Sequence, residues 1–371
     1  MTRVVILGAG MIAEVHRRAA LAAGAHIVGV MASNAARTQS AADRWGVPPV
    51  LSLQDLKEVA ADVVHVCSPN ALHLEHVKAA ITAGAHVICE KPLATRVTDA
   101  ESLQLLSVQR RRVGTVPFVY RYHPLVRELR ARVHDGEFGR WQLLHGSYLQ
   151  DWMLSPRVSN WRVDARNGGP SRAFADIGSH WCDLMEFVTG ERIASVMASF
   201  SVTVAERPVS SAVSFTHGDP VEPVMTVNTE DAASVMFRTE SGVLGAVVIS
   251  QVSAGRKNRL WFEFDGAQKS AVFDQENPET VWLGSQTSNT ILARDPGQGS
   301  ADARRLSSLP AGHAQGYAQC FEHFVADTYA AINGEVREGL PTFVDGLRAA
   351  RIAEAVIESA RSEQWVAVSR V

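Results

Sequence analysis

Cysteine is scarce: four residues in 371, Cys67, Cys89, Cys182 and Cys320, with no C-x-x-C spacing among them. That argues against a zinc ribbon and a disulfide framework, so each is read as a small buried hydrophobe and no metal site is expected. No apolar run reaches the roughly 18 residues that a membrane helix requires, and no membrane partner is expected. The opening MTRVVILGAGMIAE sets Arg3 before an apolar stretch, but it runs into Glu14, His16, Arg17 and Arg18 without a cleavage site. It reads as the first strand of a cytoplasmic protein, not as a leader. A basic tract is also missing and the net charge is −3, so nucleic acid is not an expected partner. Lysine itself is rare, five among 36 basic residues.

What the chain has is apolar mass. At 371 residues and 46% hydrophobic composition, two domains are the natural expectation. Short apolar runs at 3–8, 26–32, 62–68, 86–90 and 113–120 alternate with helical spacing such as that of 72–84. This is the pattern of a parallel sheet covered on both faces. From about 140 the strands lengthen (140–150, 233–240, 243–253, 259–266, 270–275) and follow one another through turns, which implies antiparallel pairing. A helix is expected at about 174–189 and two more at 313–333 and 344–362, with 295–305 as a polar surface loop. The expected fold is α/β followed by α+β: a Rossmann domain over 1–122, then a domain over 123–371 built on a large, predominantly antiparallel sheet.

VVILGAGMIAEVH is strand, glycine turn and helix. Gly8 permits the tight turn, Gly10 lets backbone approach a pyrophosphate, and Ala13 lets the helix lie on the sheet, with Met11 and Ile12 opening that helix beside the anion. The second strand ends in Ala32, Ser33 and Asn34, with Arg37 a turn later and no acid before Asp43. A carboxylate there would bind the ribose of NAD. Its absence, with Ser33, Asn34 and Arg37 in its place, points to NADP, and NAD is the alternative.

Two further strand ends carry candidates. Ser68, Asn70 and His73 follow the 62–68 run, and Glu90 and Lys91 precede Pro92 after 86–90. In open α/β sheets the ligand crevice lies beyond the carboxyl ends of the strands. A lysine at that place in an arginine-rich chain suggests a need for an ammonium group. Later in the chain, Asp176 and His180 stand four apart in ADIGSHWCD, one face of a helix if the segment is α-helical. The plainer reading is that Asp176 N-caps a helix over 177–189 and His180 is an interior histidine.

The glycine turn, Glu90-Lys91-Pro92, YRYHP (120–124) and Asp176-x-Gly178 with His180 and Asp183, in this order, resemble the Gfo/Idh/MocA oxidoreductases across nearly the whole chain. YLQDW, NWR, GGPSRAFADIGSH and SQVSAGRKN are similar to its levoglucosan-dehydrogenase-type and related sugar dehydrogenase branch. The resemblance implies hydride transfer between a sugar or polyol secondary hydroxyl and a nicotinamide, and a homodimer or homotetramer formed through the C-terminal sheet. It places Lys91, His180 and Asp176 on one pocket: His180 as proton acceptor, Asp176 to orient the imidazole or bind a substrate hydroxyl, and Lys91 as an ammonium for the reacting oxygen. Which of His180 and Lys91 takes the proton is left open. Arg121, Trp161 and Arg162 are expected near the cofactor, and Tyr148, Asp151 and Asp183 at sugar hydroxyls. The turn at Arg256, Lys257 and Asn258 either reaches the pocket or a neighbouring subunit, or is solvated. A keto-sugar or carbonyl reductase, a non-catalytic dinucleotide-binding regulator, and an enzyme that oxidises a sugar transiently during glycoside cleavage are the competing readings.

Overall fold

The computed structural model describes residues 1–209, 223–335 and 337–370. β1 (Arg3–Leu7), β2 (His26–Met31), β3 (Val63–Val66), β4 (His86–Cys89) and β5 (Gly114–Thr115) pair in the order β2-β1-β3-β4-β5, all parallel. Their runs are mostly apolar because helices cover both faces, with His65 a buried exception in β3. The 113–120 run is not one strand. Only Gly114–Thr115 pairs with β4. Pro117 has no N–H to offer, Val116 N instead donates to Pro341 O, and the chain turns into a 3-10 helix at Val119–Tyr122. The edge of the sheet is thus covered from the far end of the sequence, where Thr342 bridges Thr115.

The second sheet takes its strands from β6 (Trp141–Leu149), β7 (Ile193–Ser201), β10 (Ala232–Thr239), β11 (Leu244–Ser250), β12 (Arg259–Gly266), β13 (Ser270–Asp274), β14 (Thr280–Gly284), β15 (Asn289–Ala293) and β16 (Val366–Ala367), while β8 (Glu206–Pro208) and β9 (Val224–Thr226) form a separate ribbon. The order is β15-β14-β13-β12-β6-β11-β10-β7-β16, and every pair is antiparallel except β6 with β11. Alternation along the strands gives the sheet one buried face, where Leu144, Phe237, Ile249 and Phe262 pack with Trp181, Met185 and Val356 of the helices. On the other face Met236, Leu244 and Val248 stand nearly half exposed among the described residues.

Two helices from the end of the chain return to the first domain. Tyr317–Ile332 lies against the helix Met11–Ala22, and Phe343–Ser362 spans the two domains. Within 295–305, read as a loop, a short helix Ala301–Leu306 forms. Ser300 caps it by accepting from Ala303 N, and it buries Ala303 and Leu306, an apolar pair hidden among charged neighbours in the sequence. All four cysteines are free and buried. Among the described residues no helix is long and apolar enough to cross a membrane.

Candidate active site

The chain leaves β1 through Gly8, Ala9 and Gly10. Gly8 has φ +131°, and a Cβ there would lie 2.5 Å from Cys67 O, so both the backbone and the neighbouring strand exclude a side chain. A Cβ at Gly10 would meet nothing within 4 Å, and no side chain caps the helix that starts at Met11. Ala13, fully buried, seats the helix on the sheet. The first N–H groups of the helix therefore open onto a cradle, with Met11, exposed, and Ile12 at its edge. Ser68 Oγ is buried and has no partner among the described residues. These features fit a dinucleotide pyrophosphate. Beyond β2, Arg37 Nη1 donates to Ser33 Oγ (3.3 Å) on the exposed surface. Asn34 differs: its side chain accepts from Arg37 N (2.9 Å) and caps the helix Ala35–Trp45.

Two other candidates brace the loops of the site. Asn70 donates to Gly168 O (2.8 Å), and His73, fully buried, links Ser68 O (3.0 Å) to Pro92 O (2.8 Å). Trp161 carries the guanidinium of Arg162 over its ring at 4.4 Å, and Arg162 Nε stands 3.7 Å from Asp176.

Lys91 and Asp176 meet at the centre. The ammonium donates to Asp176 Oδ1 (2.6 Å) and to its backbone O (2.8 Å), while Gln251 Nε2 donates to Oδ2 (2.8 Å). Burial opposes ionisation of Asp176, but Lys91 and Arg162 outweigh it and hold the carboxyl well below the usual carboxylate range. The expected Asp176–His180 hydrogen bond is not made. Phe174–Gly178 is a π-helical turn that continues into the α-helix Ser179–Thr189, with Ser179 N bonded to Phe174 O. That wider turn breaks the spacing of an α-helix and directs the carboxylate to Lys91. Nor does Asp176 cap a helix, since its oxygens are held by side chains.

His180 lies edge-on to the rings of Tyr120 (5.2 Å) and Phe118 (5.6 Å), and its Nδ1 is buried without a partner among the described residues. Burial, then the Lys91 charge, push its pKa down to about 3, so the imidazole is neutral at working pH. Tyr148 is also buried, and its hydroxyl bonds Tyr120 (2.7 Å) and Asn258 (2.7 Å) as a wall behind His180.

Other candidates are engaged elsewhere. Arg121, expected at the cofactor, donates Nε–H to Asp183 (2.8 Å) and Nη2–H to both Asp183 and Asp345. Asp183, expected at a sugar hydroxyl, is held in that buried ion pair because a carboxylate at this depth needs a counter-charge. Asp151 accepts from Lys257 Nζ (2.6 Å) and Gly255 N (3.1 Å), which closes the 253–258 turn. Of that turn, Arg256 pairs with Glu276 and only Asn258 reaches the aromatic wall. Gln251 was not anticipated. It lies one residue past β11, inside the SQVSAGRKN segment, and is fully buried.

Neutral buried histidines have a consequence for stability. Burial holds His123 and His180 at about 3 and His76 at about 4, against 6.5 for an ordinary imidazole. Below 6.5 the unfolded chain binds protons that the folded chain does not, so this contribution is intact above that pH and is lost as pH falls through the window. The loss is about 1.4 kcal/mol per histidine per pH unit. Asp183, whose carboxyl burial pushes up to about 7, acts in the opposite direction over the same window, so a melting temperature about 2–3 °C lower at pH 5.5 than at pH 7.5 is expected. An unchanged melting temperature would mean that these rings protonate freely in the folded chain.

The cradle at the carboxyl edge of a parallel sheet, with an ion pair and a neutral imidazole facing it, defines a Rossmann-type dinucleotide-binding protein with a polar reaction pocket. Residues 2–118 match the oxidoreductase family described by an NAD-binding Rossmann fold, and 126–272 match the GFO/IDH/MocA C-terminal domain. The chain belongs to the Gfo/Idh/MocA oxidoreductase family. It is 32% identical over 325 residues to the levoglucosan dehydrogenase of Pseudarthrobacter phenanthrenivorans, covering 83% of this chain and 80% of that one. A solved structure of levoglucosan dehydrogenase with NADH and L-sorbose superposes with a TM-score of 0.90 at 26% identity, over 100% of this chain and 99% of the other. An inositol dehydrogenase homologue from Azotobacter vinelandii, complexed with NAD+, gives 0.86 at 27% identity over 99% and 97%.

Proposed function

We propose that the chain is an NAD(P)-dependent dehydrogenase of a sugar or polyol, acting on a secondary hydroxyl held between Lys91 and His180. The observation that carries this reading is the Lys91–Asp176 pair beside an unpartnered neutral imidazole. Lys91 uses two of its donors on Asp176 and has a third for the substrate oxygen. The hydroxyl proton passes from that oxygen to His180, and Lys91 stabilises the alkoxide as the charge develops. Asp176 holds the ammonium in place and is itself fixed by Gln251. A nicotinamide held there would supply the hydride acceptor for the carbon that bears this hydroxyl. Its dinucleotide would be held by Gly8, Gly10, Met11 and Ile12 and by Ser68. The levoglucosan and inositol enzymes favour a cyclic polyhydroxylated substrate. A sugar and polyol panel read by nicotinamide absorbance with both cofactors tests the proposal, and no turnover on any member would refute it.

NADP is the proposed cofactor, used at least as well as NAD. Ser33 and Arg37 sit together on the surface where a 2′-phosphate would lie, and residues 32–37 contain no carboxylate to repel it. Arg37→Ala should weaken NADP about tenfold or more and leave NAD nearly unchanged. Equal losses for both cofactors would reject this assignment. A second copy of the chain covering the apolar sheet face at Met236, Leu244 and Val248 would make a homodimer or homotetramer, and the four free cysteines suit a reducing cytoplasm.

A further inference from the structure

The core of the first domain contains a polar line that the proposed chemistry does not use. His65 lies within β3 between Val64 and Val66, and His16 lies in the helix Met11–Ala22, both fully buried. Tyr329 OH meets His65 Nε2 at 2.9 Å, His65 Nδ1 meets His16 Nδ1 at 3.1 Å, and His16 Nε2 meets Glu90 Oε1 at 3.0 Å. The other oxygen of Glu90 accepts from Lys91 N (3.3 Å). The line therefore starts on the C-terminal helix Tyr317–Ile332 and ends on the backbone of Lys91.

The proton positions along it follow from the network. Glu90 offers only acceptors when ionised, so His16 must present Nε2–H to it and leave Nδ1 as an acceptor. His65 must then donate from Nδ1, which leaves its Nε2 to accept from the Tyr329 hydroxyl. In this arrangement every member has a partner and Glu90 is charged. Burial holds His65 well below the ordinary imidazole value and Tyr329 well above the ordinary phenol value, in keeping with this assignment. Burial opposes ionisation of Glu90, and His16, through its hydrogen bond and its field, together with Lys91 and His180, outweighs it.

We infer that His16 is a positioning residue: with its tautomer set by His65 and Tyr329, it keeps Glu90 ionised behind the Lys91 backbone and so sets how readily His180 holds a proton. The inference rests on the dehydrogenase reading above. Glu90 is faced by His16, Lys91, His73 and His180, and by Cys67, Cys89 and Tyr317, whose proton-bearing forms burial favours. His73 has a backbone carbonyl at each ring nitrogen and feels the same charge from behind the loop, whereas His180 is the group of this set in the reaction pocket. An anion there raises the proton affinity of His180.

The test compares pH profiles of kcat/KM with dinucleotide affinity in the full-length chain. In His16→Leu, Glu90 loses its donor and becomes neutral, so the base gives up its proton more easily. The acid limb should move down by about half a pH unit or more, with dinucleotide affinity held within about twofold. His16→Gln, whose amide can still donate to Glu90, should restore the limb, and Tyr329→Phe should move it in the same direction by less. A limb that stays in place while turnover falls would reduce His16 to packing and overturn the inference. A second measurement is independent of activity and covers a His16→Leu that fails to fold: NMR of the 15N-histidine-labelled wild type should find His16 protonated at Nε2 and His65 at Nδ1. Any other tautomer pair overturns the inference. If no sugar is oxidised but these tautomers are found, the substrate reading fails and the hydrogen-bonded line stands.

Discussion

Lys91→Ala should lower kcat by about 10³-fold or more while dinucleotide affinity stays near that of the wild type. The cradle at Gly8 and Gly10 is separate from the ammonium, so binding and chemistry should part. The loss has two sources. The reacting oxygen is deprived of its donor, and Asp176 loses the cation bonded to it at 2.6 Å, keeping only Gln251 and the more distant Arg162. Lys91→Arg should fail almost as badly. A guanidinium is wider and planar, and it cannot reproduce two bonds to the Asp176 backbone and side chain while directing a third at the substrate. Fluorescence titration of the cofactor and absorbance turnover on the same preparation decide the matter. If Lys91→Arg retains most activity, a generic positive charge is enough.

His180→Ala should cost about 10²–10⁴-fold in kcat, the range for a lost general base. The ring is neutral and packed between Phe118 and Tyr120, and since Nδ1 is enclosed the proton would be taken at Nε2. His180→Phe fills the aromatic corner without a nitrogen and should be as slow as the alanine variant. Wild-type turnover in His180→Phe would make the histidine a space-filler and move the proton to Lys91.

The first sheet was legible because strand–helix alternation and the glycine turn are local patterns, and β1 to β4 fall within the expected runs. The 113–120 run misled because its residues are apolar for burial and not for strand pairing: Val116 bonds Pro341 and not a strand neighbour. The site was legible in its members and not in its bonds. Lys91 and Asp176 are separated by 85 positions, and the π turn that joins them depends on contacts no spacing rule contains. The ligand roles expected of Arg121 and Asp183 follow from the family resemblance and from chain position, and neither shows that the two pair with each other in the interior. Gln251 was passed over because a lone amide at a strand end carries no pattern.

The covering of the β5 edge by residues near 341, and the docking of Tyr317–Ile332 on the helix Met11–Ala22, bear on biosynthesis. The first domain emerges from the ribosome first, yet its sheet edge stays open and His65 has no Tyr329 until the last fifty or so residues of the chain have followed. Domains formed from one stretch of sequence can finish folding during synthesis. This one waits for its own C-terminus, so a nascent chain stalled before Tyr317 should expose apolar surface at Val119 and Tyr122, where Phe321 and Phe324 pack in the finished molecule, and should be a substrate for chaperones.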